Sequence, residues 1–248
     1  GATPTAGSVK IDGSNLGSAL AGTLAATKLT ANTTAGFSIV EYTGTSANAT
    51  VAHGLGVAPE LAIIKKYNVS EDWAVGGTNL QSGSAWTHVL ELNQTTASTD
   101  SDVSFNDGTP NSTTFPLGTD ARTNYNTRFY VAYCFASIEG YSKVGSYTGN
   151  ANADGPFIYT GMKPAYVMIR TLASGEGWMI YDNQRSPYNE AKVRLQANST
   201  GADDSSEDGI DMLSNGFKCR VNWAGINDSN TFIYIAFAES PFKTSNAR

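Results

Sequence analysis

The sequence predicts an all-β protein of two tandem, internally duplicated lobes, β-sandwich or jelly-roll-like, preceded by an extended or partly helical N-terminal arm. Three observations predict it. First, the stretch from Tyr42-Thr43-Gly44 to Trp73 is written twice. An offset of 105 carries the triplet onto Tyr147-Thr148-Gly149, and takes Gly56 to Gly161, Pro59 to Pro164, Ile64 to Ile169, Lys65 to Arg170 and Trp73 to Trp178. Phe115 and Phe135-Ala136 meet Phe217 and Phe237-Ala238 at an offset of 102, which puts a small length difference in the loops between. Such self-similarity marks a repeated structural unit. Second, charged residues make up only 15% of the chain, so the polar surface is drawn from Ser, Thr, Asn and Gly, as in turn-rich β proteins. Third, short alternating or wholly apolar runs recur between turn signals, and no long helical period competes with them.

Residues 1–36 differ from the rest. They hold no aromatic residue and are rich in Ala, Gly, Thr and Ser. Leu16, Leu20 and Leu24 recur every fourth residue behind Asp12 or Ser14, a pattern of helix with a cap. Gly17 and Gly22 weaken that helix by about 1 kcal/mol each relative to Ala. A single apolar stripe cannot bury itself, so the segment is expected to be an arm that orders against a neighbouring subunit.

The first repeat, 37–140, opens with the strand-like Phe37–Tyr42, a turn at Thr43–Asn48 and a second short strand at Ala49–Ala52. Pro59 then introduces Leu61-Ala62-Ile63-Ile64, a run apolar enough to be buried on both faces. Thr87–Leu92 alternates in polarity, and Val103–Phe105 is at most one short strand in a polar loop. Phe115-Pro116-Leu117 and Arg128–Ala136 complete the unit. The second repeat, 141–248, keeps the same order, with Phe157-Ile158-Tyr159, Pro164–Arg170, Trp178–Tyr181, Val193–Leu195, Phe217–Val221 and Phe232–Ala238 as its strands. Asp154-Gly155 and Asn215-Gly216 are its turn signals.

Several motifs bear on family. They are Gly36-Phe37-Ser38-Ile39-Val40, Tyr42-Thr43-Gly44 and His53–Pro59, then Val144–Asn150, Asp154–Phe157 and Tyr159-Thr160-Gly161, and at the close Ala236–Lys243. Together they resemble a duplicated β-domain family of unassigned function found in virion proteins of marine tailed phages, many of them tail-fibre-like. The resemblance covers roughly residues 36–248. It implies a phage particle as the setting and assigns no functional residue.

Composition excludes some functions. A net charge of −6, with no dense Lys/Arg cluster, argues against a nucleic-acid partner. No run approaches 18 apolar residues, so no membrane insertion is expected, and the amino end lacks a signal-peptide pattern. Cys134 and Cys219 are expected as buried thiols; a disulfide between them has no support from the repeat.

Chemistry is sparsely signalled. His53-Gly54-Leu55-Gly56 suggests an esterase oxyanion loop, but no Gly-x-Ser-x-Gly accompanies it, so His53 reads as a turn residue, with Ile158 as its counterpart. His88 has no ligand-spaced partner. Glu91, Asp100, Asp102, Glu176, Asp182 and Glu190 are scattered acids from which a glycosidase pair could be drawn, although solvated loop acids are preferred. The acidic run Asp203–Asp208 offers Asp204 and Asp208 as weak Ca²⁺ ligands, off the EF-hand spacing. No catalytic residue and no cofactor is assigned.

Trp73 and Trp178, shared by the repeats, are expected as sheet-to-sheet core. The copy-specific aromatics Trp86, Trp223, Tyr67, Tyr125 and Tyr188 stand beside Ser, Asn and Gly in expected loops, where a flat ring can stack on a pyranose. The function expected is therefore a non-enzymatic virion protein, a fibre or spike tip that binds host-surface glycan. It would act as a homotrimer joined to other virion proteins through the arm. A capsid-decorating or tail-joining protein is the first alternative, and a glycan depolymerase the second.

Overall fold

The computed structural model describes residues 7–16, 20–81 and 83–240. Over these the protein is all-β, with one helical turn, α1 (Asp102–Phe105), where a short strand is expected from sequence. The chain forms two compact units. The first takes the residues up to Glu91 and Ser98–Ala136, the second Leu92–Ala97 and everything from Ser137.

In the first unit the strands are β1 (Val9–Ile11), β2 (Ser14–Asn15), β3 (Ala26–Asn32), β4 (Phe37–Thr43), β5 (Ala49–Ala52), β6 (Leu61–Lys66), β7 (Ala74–Gly77), β8 (His88–Glu91), β9 (Thr99–Asp100), β10 (Thr114–Leu117) and β11 (Phe129–Phe135). One sheet has the order β2-β1-β3-β4-β11-β6-β7-β8-β9, and β10 pairs with β5 in a second. The core lies between them: Val40, Tyr42, Ile64, Tyr130 and Ala132 from the large sheet meet Val51, Phe115 and Leu117 from the small one. Alternation along β4 explains the choice, since Ser38, Val40 and Tyr42 turn inward while Phe37, Ile39 and Glu41 turn outward.

The second unit has β12 (Ser142–Thr148), β13 (Phe157–Tyr159), β14 (Pro164–Thr171), β15 (Met179–Asp182), β16 (Arg194–Gln196), β17 (Ile210–Leu213), β18 (Gly216–Cys219) and β19 (Thr231–Ala238). Its larger sheet runs β12-β19-β14-β15-β16 and its smaller β13-β18-β17. Ile158, Met212, Phe217 and Cys219 face Tyr147, Val167, Ile169, Met179 and Phe232 in its core.

Register in the two units matches pair by pair. Tyr42 lies opposite Tyr130, and Tyr147 opposite Phe232. Ile64 pairs with Ala74 and Ile169 with Met179, while Ala74 pairs with Glu91 and Met179 with Gln196. The register also corrects one alignment. Val51 pairs with Phe115, and Ile158 with Phe217. His53 N–H donates to Thr113 O, and Thr160 N–H to Asn215 O. The counterpart of His53 is thus Thr160, not Ile158, and that of Gly161 is Gly54, not Gly56. Gly54 and Gly161 share a left-handed backbone, at φ 73° and 76°. The buried Leu55 and Met162 come directly after them. A continuous offset hides this because one turn is longer and the next shorter by the same amount.

Other expectations also need correction. Leu16, Leu20 and Leu24 form no helical stripe: β1 and β2 pair with each other, β3 lies antiparallel along β4, and Leu24 bridges to Val51. The three leucines pack, partly buried, on the first unit's own core, and Leu16 and Leu20 also line an open groove with Ile11, Ala52 and Thr113. The segment before residue 37 belongs to the first sandwich because β4 would otherwise present a bare edge. Residues 1–6 and 17–19 of the expected arm, Gly17 among them, lie outside the described residues. Of the two shared tryptophans, Trp178 is fully buried, whereas Trp73 is only half-buried, with Lys65 Nζ 5.5 Å from its ring centroid. The expected boundary at 140/141 also misses residues 92–97, which join the second unit; there Arg170, wholly buried, donates to Thr96 O at 2.5 Å.

Candidate functional site

A buried asparagine sets the geometry at one end of the first unit. Asn124 Nδ2 donates to Ala47 O and Gly118 O, and its Oδ1 accepts from Thr45 N–H at 2.8 Å. The Tyr42 hydroxyl donates to the carbonyl of the preceding Thr123 at 2.6 Å. Three hydrogen bonds on one buried amide fix this turn tightly. The second unit builds the same clasp from Asn227, whose amide bonds Asn152 O, Val221 O and Asn150 N–H, with Tyr147 donating to Ile226 O. The residue after the asparagine differs. Unit one projects Tyr125; unit two has Asp228, whose carboxylate accepts from Asn230.

Tyr67 and Phe129 form an aromatic pair, 52% and 44% exposed, while Tyr125, 49% exposed, stands beside Lys66 and Tyr130, whose side chains belong to the inward face. Tyr67 comes just after β6 and Phe129 begins β11; Tyr67 N–H donates to Phe129 O, and their ring centroids are 6.1 Å apart. Asn68 Oδ1 accepts from Phe129 N–H at 3.2 Å, and Tyr125 N–H donates to the Tyr130 hydroxyl at 2.7 Å. Lys66 Nζ lies 5.9 Å from the Tyr125 ring centroid and pairs with Glu71 at 2.7 Å. Partial burial, and after it the nearby Glu41 carboxylate, raises the Tyr67 phenol above its ordinary value, so it stays a neutral donor. Glu41 also pairs with Lys28 at 3.1 Å. The result is a surface of flat rings edged by amide, ammonium and carboxylate groups, suited to a ligand with both apolar faces and hydroxyls.

The same register positions in the second unit carry Leu172 and Thr231, joined by the same backbone hydrogen bond from Leu172 N–H to Thr231 O. The sandwich therefore does not require exposed rings there.

Of the five aromatics singled out from sequence, Tyr67 pairs with Phe129, whereas Tyr125 stands apart beside Lys66 and Tyr130. Trp86 joins neither: it is fully buried, edge-on to Phe105 at 5.3 Å, and cannot stack on a ligand. Its Ser- and Gly-rich neighbours suggest a loop, but the Trp86 backbone N–H donates to Gly108 O and the ring packs on Phe105 in the core. Trp223 is half-buried against the second core with the Arg194 guanidinium 4.4 Å from its centroid, so one face of its ring is taken. Tyr188, 83% exposed, lines a groove of about 430 Å³ with Lys163, Asn183, Gln184 and Glu239 in the second unit. Sequence reasoning misses Phe129 and Lys66. The alternation Phe129, Val131, Tyr133, Phe135 on one face of β11 is the available signal for Phe129.

Acidic groups are largely engaged with basic ones. Burial pushes Asp120 up, but the hydrogen bonds and charge of Arg122 outweigh it and hold the carboxyl below its ordinary value. Arg122 also binds Glu91. Asp182 pairs with Arg185, and Glu190 accepts from Gly209 N–H. Asp204 binds Arg194 at 2.6 Å and accepts from Ser206 N–H, while Asp208 pairs with Lys192. Among the described residues no three His, Cys, Asp or Glu side chains gather to hold a metal ion. His53, fully buried, accepts from Leu55 N–H through Nδ1, and its Nε2 contacts Asn111 O at 3.0 Å. Burial lowers its pKa, so the ring is neutral and structural. Both cysteines are free and buried.

No curated protein and no solved structure matches this chain. One family model does, over residues 12–241, and it reaches back across β3 and spans both units. By that match the chain belongs to the family described as a domain of unknown function, DUF7483.

Proposed function

We propose that this chain is a non-enzymatic surface-binding protein of a phage particle, a fibre or spike tip whose first unit grips host-surface glycan with the paired rings of Tyr67 and Phe129. One observation carries the reading: two paired rings, Tyr67 and Phe129, are exposed where the second unit, in the same register, has Leu172 and Thr231. Exposed aromatic carbon costs solubility and adds nothing to the sandwich, which favours a ligand. The virion setting rests on the sequence resemblance alone. That catalysis is absent is likewise part of the proposal, supported by the engagement of Glu91, Asp120 and Asp182 with arginines. The matching registers favour two jelly-roll-like lobes that arose by duplication. A homotrimer is the assembly proposed, since several weak sites acting together raise avidity by about 10²–10⁴.

Binding of the purified chain to immobilised host-surface glycans tests this. Tyr67→Ala and Phe129→Ala should each weaken binding about tenfold or more, with the melting temperature nearly unchanged. Retention of full binding by the double variant would remove the aromatic group from the function.

A second reading, a capsid-decorating or tail-joining protein, is favoured by the outer face of the first sheet, where the exposed Ile39 stands beside half-buried Tyr133 and Val131. Ile39→Lys separates the two. It would abolish attachment to the particle under this reading and leave glycan binding intact under the first.

A further inference from the structure

The two units differ in how their outer strands are finished. In the first, the segment 22–32 crosses both sheets: Leu24 N–H donates to Thr50 O at 3.1 Å on β5, and β3 then runs antiparallel along β4. Leu29 and Ala31 of β3 are buried and pack where a Cβ on Gly54 would stand. In the second unit the matching strands are β13 and β12. Only six residues separate β11 from β12, too few to return as a covering strand.

Among the described residues, no strand lies along the outer edge of β12, which pairs only with β19. Ala238 N–H donates to Tyr141 O and Gly149 N–H to Asn230 O, so the odd-numbered residues of β12 face β19. The even-numbered residues face outward. Ser142 and Val144 N–H are met by Ile138 and Ser137, whereas Ser146 and Thr148 are exposed. On β13, Tyr159 is 66% exposed and Phe157 is also exposed. The Tyr159 ring is what a Cβ on Gly161 would meet, in the place that Leu29 and Ala31 take beside Gly54.

The other outermost strands of the larger sheets, β2, β9 and β16, are two or three residues long, whereas β12 has seven. Short edges resist unwanted pairing; a long one invites it. We propose that this side of the second unit takes up an extended segment of a partner polypeptide as an added strand, antiparallel to β12 and crossing over Tyr159. The occupant is a strand with small apolar residues at alternate positions, because Ala26, Leu29 and Ala31 are what the equivalent strand buries in the first unit. Backbone hydrogen bonds from Ser146 and Thr148 would supply affinity, and the Tyr159 ring would select for small side chains.

A synthetic peptide with the sequence of residues 20–33 is the probe, added to the full-length chain and followed by hydrogen exchange and calorimetry. The amides of Ser146 and Thr148 should exchange fast in the free chain and at least tenfold slower with peptide, while those of Gly145 and Tyr147 stay protected throughout. Ser146→Pro removes one outward N–H and should weaken binding about tenfold. Ser146→Lys with Thr148→Lys serves if the proline disturbs folding. Tyr159→Ala should weaken binding several-fold. No binding at millimolar peptide would overturn the proposal, as would protection that falls on β4. Protection of Ser146 and Thr148 without peptide would also overturn it, by the chain's own residues if independent of concentration, or by a second copy's β12 if it grows with concentration.

Discussion

Tyr42 stacks on Tyr130 with ring centroids 5.2 Å apart and planes 10° from parallel. Tyr147 repeats the relation with Phe232 at 5.1 Å and 11°. In both units the stacked tyrosine also reaches across to bond the carbonyl before a buried asparagine. One side chain thus ties β4 to β11, or β12 to β19, and both to the turn that precedes the last strand.

That clasp is expected to dominate local stability. Asn124→Ala removes three hydrogen bonds and strands the buried Gly118 carbonyl, so it should cost about 2–3 kcal/mol. Tyr42→Phe, which loses only the hydroxyl bond, should cost about 1–2 kcal/mol. Urea unfolding of both variants checks the order; equal costs would mean that the amide is not the keystone of the turn.

The tryptophans should separate by burial rather than by repeat position. Trp86→Ala and Trp178→Ala each empty a fully buried site and should cost about 3–5 kcal/mol. Trp73→Ala, at a half-buried ring, should cost clearly less. Chemical denaturation compares the three directly.

His53 should make the first unit acid-sensitive. Burial depresses its pKa in the folded state below the ordinary 6.5, so beneath that pH the unfolded chain binds a proton that the folded chain refuses. Stability is complete above about 6.5 and falls as pH drops toward the folded pKa, at no more than about 1.4 kcal/mol per pH unit. His53→Thr, the residue at the matching position of the second unit, should flatten this dependence. Denaturant midpoints at pH 7 and pH 5 test it.

Cys134 and Cys219 report on one unit each. Burial pushes both thiols up to about 12, so neither offers thiolate to a reagent at neutral pH. An aromatic disulfide reagent should label neither in the native protein and both in denaturant. Labelling of one thiol alone at intermediate denaturant would show that its unit opens first.

The strands and their order are legible in the sequence, because strand formation here is written locally. Alternation fixes the inward face of β4, the apolar run after Pro59 fixes a strand buried on both sides, and Tyr-Thr-Gly recurs where the same turn recurs. Less legible is what those strands meet. Trp86 reads as a loop ring from its Ser and Gly neighbours, yet Phe105 and the backbone of Gly108 claim it, and no local pattern encodes a contact made across so many residues. The spacing of Leu16, Leu20 and Leu24 fits a helix, but the open edge of β4 offers that segment a row of backbone partners that a lone helix lacks. Tyr67 can be named from composition, whereas its pairing with Phe129 is decided by the register of β6 on β11. Periodicity assigns a residue to a face; only the pairing of distant strands decides which residues share it, because the hydrogen bonds that set register join positions far apart in the chain.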